Sequence, residues 1–114
     1  MSHKIFQMPF ATVYPLYVKK VLRKGQTEAD LRKVIRWLTG FTDAQLQKQI
    51  DSGATFEKFF AKAKLHPNAS LITGVICGVK VQEITDDLMR NIRYMDKLVD
   101  ELANGKAMEK ILRS

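Results

Sequence analysis

One cysteine, two histidines and three prolines in 114 residues leave several kinds of chemistry without their parts. A lone Cys77 cannot close an internal disulfide, so nothing here requires an oxidising compartment. With two distant histidines beside it, no ligand set at zinc-binding spacing exists. The segment "GVICG" lacks the Lys-Ser/Thr of a phosphate-binding loop, so no nucleotide cofactor is called for. Long apolar runs are also missing. The most apolar stretch, "LITGVICGVKV" at residues 71–81, falls short of the roughly 18 residues that a membrane span needs. The beginning, "MSHKIFQMPF", has neither the apolar centre nor the small-residue cleavage site of a secretory signal. These absences argue for a cytoplasmic chain with no membrane, metal or cofactor partner.

What is present is ordinary for a folded domain: 46% apolar and 27% charged residues, enough to bury a core without covalent staples. The charge is unevenly placed. The first 40 residues carry eight Lys/Arg against Glu28 and Asp30, whereas residues 67–104 carry four against six Asp/Glu. The formal net charge of +7 therefore comes largely from the front of the chain.

Helix punctuation divides the sequence. "TVYPLYVKKVLRKG" predicts a first helix capped by Thr12, with Pro15 in its first turn and Gly25 as its stop. "TEADLRKVIRWLTG" predicts a second, capped by Thr27 and closed by Gly40, burying Leu31, Val34, Ile35 and Leu38. "TDAQLQKQIDSG" carries a capping box at Thr42 and Gln45 and ends at Gly53. "TFEKFFAKA" is a short helix capped by Thr55 with Phe56, Phe59 and Phe60 on one face, and His66-Pro67-Asn68 is a loop. After Thr85, Leu88, Ile92, Met95, Val99 and Leu102 alternate at steps of four and three. Asp86 and Asp87 suit the first turn of that helix, and Asn104-Gly105 stops it. "KAMEKILRS" adds a last helix with Met108, Ile111 and Leu112. The reading is a compact, all-α single domain over residues 1–114, with about six or seven short helices.

Residues 71–81 admit two structures. One is a helix capped by Asn68 and stopped by Gly78, followed by an extended connector at Val79–Val81. The other is a hairpin turning at Cys77-Gly78, suggested by the β-branched content. The helix is preferred, because an isolated two-stranded piece is marginal. In either case Cys77 reads as a small buried hydrophobe. A thiol enzyme pairing Cys77 with His66 is the least favoured use of it.

The basic front supplies the functional candidates. Lys19, Lys20, Arg23 and Lys24 on the first helix, with Arg32, Lys33 and Arg36 on the second, form one surface if those helices pack antiparallel. Such a surface grips phosphates in a sequence-blind way. The second and third helices with their "TGFT" turn have a helix-turn-helix cadence, which would project Gln45, Gln47, Lys48 and Gln49. The same residues are also ordinary helix formers on a solvated face. Asp96 and Asp100 alternate with Arg93 and Lys97 and read as a salt-bridged solvated face. Trp37 is either an interface anchor or the rim of the core. The expected function is a small non-enzymatic cytosolic binding module contacting nucleic acid or an acidic protein. The alternative is a protein-partner or homo-oligomerisation module using the surface around Trp37, the Phe56–Phe60 aromatics or the terminal helix.

Four blocks, "FATVYPLYVKK", "IRWLTGF", "PNASLITGVICGVKVQEI" and "DLMRNIRYMDKLVDELANGKAMEKILR", carry a family likeness. Together the sequence resembles a bacterial family of small proteins, domain of unknown function 2200. Asp87 stands where that family's pattern has a proline before the Leu-Met pair. The resemblance implies a one-domain cytoplasmic bacterial protein. It implies no activity, cofactor or catalytic residue.

Overall fold

The computed structural model describes residues 4–76 and 78–113. Six α-helices occur among the described residues: α1 (Phe10–Arg23), α2 (Glu28–Thr39), α3 (Asp43–Asp51), α4 (Phe56–Lys62), α5 (Asp87–Ala103) and α6 (Met108–Ile111). Two short strands, β1 (Val75–Ile76) and β2 (Val79–Lys80), pair antiparallel. Single 3-10 turns fill Lys4–Gln7, Pro67–Leu71 and Val81–Glu83. No helix among the described residues is long and apolar enough to cross a membrane.

The predicted caps Thr27, Thr42 and Thr55 form, and Asp86, expected within the first turn of α5, takes its cap position instead; each accepts the backbone N–H three residues on. Gln45 Oε1 accepts the Thr42 N–H in return, completing a capping box. Each such cap contributes about 1 kcal/mol to its helix.

The first helix departs from expectation. It begins at Phe10, not after Thr12, with Pro9 in the cap position and no side-chain cap. A backbone tie replaces the cap: the Phe10 N–H donates to Ala54 O at 2.8 Å and the Phe56 N–H to Met8 O at 3.0 Å. That earlier start moves Pro15 out of the first turn and into the helix interior. There its missing N–H leaves the Ala11 carbonyl without its usual partner.

Residues 71–81 are the second correction. The preferred helix is absent; the chain makes a 3-10 turn to Leu71, then the hairpin, with Val75 opposite Lys80 and Ile76 opposite Val79. Gly74 explains why no helix runs through: its φ of +114° is far from helical. Docking makes so small a hairpin stable. Ile72 and Val81 are fully buried, Ile76 nearly so. The Lys97 Nζ of α5 donates to Val75 O at 3.3 Å, and the Val81 N–H closes onto Gly74 O at 2.9 Å. The readings of Cys77, as core residue or as thiol beside His66, lie outside the described residues.

The core forms around α5, whose Ile92, Met95, Leu98 and Val99 are fully buried against α1, α2 and α4. Phe56, Phe59 and Phe60 are buried in it with Phe10, so those aromatics offer no surface for a partner. Glu101, one residue beyond Asp100 on α5, is not solvated. Its side chain is 8% exposed and accepts both Arg113 nitrogens at 2.6 and 2.7 Å, with Lys106 at 3.3 Å. On the same helix Asp96 does pair with Arg93 at 2.8 Å.

Gly40 pins α2 to the chain beyond α4. It sits at φ +74°, and a Cβ there would lie 2.7 Å from Lys64 O. Around it the Lys64 N–H donates to Thr39 O at 2.8 Å and the His66 N–H to Leu38 O at 3.0 Å. Any side chain at position 40 would push these strands of backbone apart.

Candidate functional site

The seven basic candidates do not share one environment. On α1, Lys19 and Arg23 are one turn apart on the face opposite Tyr14, Tyr17 and Val21, and both are exposed. Lys24 is exposed just past the helix end. Lys20 turns sideways to Asp100 of α5, 3.2 Å away, beside a hydrogen bond from the Tyr17 hydroxyl to Asp96. On α2, Lys33 is exposed opposite the buried stripe.

Arg32 is drawn inward. Its Nε donates to Asp43 Oδ1 at 2.7 Å, one terminal nitrogen to Asp43 O at 3.3 Å and the other to the Tyr14 hydroxyl at 3.2 Å. Tyr14 in turn donates to Glu28 Oε2 at 2.6 Å. The chain Glu28–Tyr14–Arg32–Asp43 therefore ties α1, α2 and the start of α3 together. Sequence reasoning missed these partners, because Tyr14 and Asp43 lie on other helices, 18 and 11 residues from Arg32. Arg36 is half-buried and its Nε has no hydrogen-bond partner among the described residues.

The network shifts its members' titration. The Arg32 guanidinium holds the Asp43 carboxyl below its ordinary value, and Asp43 in turn raises Arg32. Burial, helped by the bond to the Glu28 carboxylate, pushes the Tyr14 phenol up to about 12 against the opposing influence of Arg32. A phenol that ionises later in the folded state than in the unfolded one stabilises the fold below its unfolded value of 10.0. That stability is lost as pH rises from about 10 to about 12. An absorbance titration near 295 nm is expected to show a late tyrosine step coinciding with alkaline unfolding. Tyr14→Phe should remove the step, and a late step surviving in Tyr14→Phe would reassign it.

Trp37 is half-buried and stacks on His66, ring centres 4.2 Å apart and planes 19° from parallel. His66 Nδ1 accepts the Asn68 N–H at 2.9 Å, which caps the turn that follows. The tryptophan thus closes one edge of the core while keeping part of its face in solvent. The helix-turn-helix reading loses Gln49, which is buried, and Gln47 is bonded to Asp51 at 2.9 Å.

Comparison with known proteins gives two matches. Residues 4–113 match the model of a family described as "Uncharacterized protein conserved in bacteria (DUF2200)". A crystal structure titled "uncharacterized protein SP1917" is 42% identical and superposes with a TM-score of 0.91, covering 98% of this chain and 93% of that one. No curated protein matches the chain.

Proposed function

The chain belongs to this bacterial family, and we propose that it is a non-enzymatic cytoplasmic module that grips an acidic partner, foremost a nucleic-acid backbone. The grip uses Lys19, Arg23, Lys24 and Lys33. One observation carries this reading: all four are exposed and make no ion pair among the described residues. The short turn Lys24–Thr27 places the end of α1 beside the start of α2. Lys20 and Arg32, held by Asp100 and Asp43, belong to the scaffold.

Exposed ammonium and guanidinium groups bind phosphates by releasing condensed counterions, which makes the affinity steeply salt-dependent. Fluorescence anisotropy with mixed-sequence DNA and RNA is the direct test. Four contacts predict a log K against log salt slope of roughly −3.6 on duplex DNA, at about −0.9 per neutralised phosphate. The quadruple charge reversal Lys19/Arg23/Lys24/Lys33→Glu should abolish binding with the fold intact. Absence of wild-type binding near about 50 mM salt, where such contacts are strongest, removes the reading.

A further inference from the structure

A second cluster of cations lies elsewhere, around a cleft of about 360 Å³ between α3, the end of α2 and the chain leaving α4. Sites for small ligands are typically about 300–1,000 Å³, so the space suits one. Lys48 reaches it from α3, Lys62 from the last turn of α4 and Lys64 from the extended chain beyond. Its lining contains no Asp or Glu, and none of the three lysines makes an ion pair among the described residues. Three like charges from three separate elements repel one another across an opening and leave it suited to an anion.

The floor adds a second requirement. Gln49 lines the cleft and is only 6% exposed, yet its Oε1, turned out of solvent, has no hydrogen-bond partner among the described residues. A buried carbonyl oxygen without a donor is costly, and turning the Gln49 amide so that its oxygen meets a ligand hydroxyl or N–H in the cleft would satisfy it. Gln45 also lines the cleft; its Oε1 is committed to the Thr42 N–H, which leaves its Nε2 as the donor at the rim. The wall bearing Lys64 is fixed, because the Lys64 N–H is bonded to Thr39 O against Gly40.

We propose that this cleft binds a small phosphorylated molecule bearing hydroxyl groups, its phosphate held by Lys48, Lys62 and Lys64 and a hydroxyl donating to Gln49 Oε1. The site stands apart from the surface on α1 and α2 and does not depend on it. Calorimetric titration with ribose 5-phosphate, inorganic phosphate and ribose tests it on the whole chain. Ribose 5-phosphate is expected to bind one-to-one, about tenfold tighter than phosphate, and ribose not at all. Lys62→Ala with Lys64→Ala, both exposed positions, should weaken binding roughly a hundredfold, about tenfold for each lost charge-assisted contact. The quadruple reversal on α1 and α2 should leave it unchanged. No saturation by ribose 5-phosphate, equal affinity for phosphate, or full binding by the Lys62/Lys64 variant with an unaltered circular dichroism spectrum would each overturn the assignment.

Discussion

Arg113→Ala is expected to destabilise the protein by about 3–5 kcal/mol in urea unfolding, because it strands a buried carboxylate. Glu101 is 8% exposed and takes two short hydrogen bonds from that guanidinium. The remaining partner, Lys106, is 39% exposed and 3.3 Å away, which places the loss toward the lower end of that range. In melting temperature this corresponds to roughly 12–20 °C for a domain of this size. The companion experiment replaces both members. Glu101→Met with Arg113→Met removes the charges together and should recover most of the loss, since apolar isosteres of a buried pair are close to neutral. By contrast, Lys80 and Glu83 are both mostly solvated, and removing that pair should change stability by less than about 0.5 kcal/mol. A cost below about 1 kcal/mol for Arg113→Ala would show that the last residues do not clamp α5.

Phe10→Ala should be nearly as damaging, about 3–5 kcal/mol, through the cavity left in the aromatic cluster. Phe10 is fully buried. It stacks on Phe59 at 4.3 Å and meets the edge of Phe56 at 5.8 Å. The experiment also discriminates between two starts for α1. With a helix beginning after Thr12, Phe10 would lie in a leading loop and its truncation would cost little. With the observed start at Phe10, the ring is carried inward by the first turn while its N–H is bonded to Ala54 O. Leu16→Ala, on a residue 58% exposed, is the matched control and should stay within about 0.5 kcal/mol of wild type. A small effect at Phe10 would mean that the tie between residues 8–10 and 54–56 is not formed in solution.

These two positions show where sequence was a good guide and where it was not. Thr27, Thr42 and Thr55 were legible as caps because a cap is settled within four residues, and the α5 stripe because about four helical turns repeat one pattern. Local grammar fails where distant chain decides. The start of α1 is set by Ala54 and Phe56, and Thr12 was credited with a role that the tie performs. In sequence the hairpin is the less favoured of two structures because two strands alone are marginal; α5, beginning at Asp87, supplies the missing support through Lys97. On the candidate surface, sequence identified the cations but not their neighbours. Lys20 is answered by Asp100, 80 residues later, and Arg32 by Asp43 and Tyr14. Lys48 is legible in sequence only as part of the third helix's face, and nothing local links it to Lys62 or Lys64, since only the fold of three elements gathers them at one opening.

The contact of α1 with α5 has a bearing on how the protein is made. Tyr17 waits for Asp96, 79 residues downstream, and at roughly 5–20 residues per second a ribosome takes about 4–16 s to supply it. Throughout that interval one flank of the nascent first helix has no native cover. Slow translation of the middle of the message would prolong it, so chaperone dependence should appear there first.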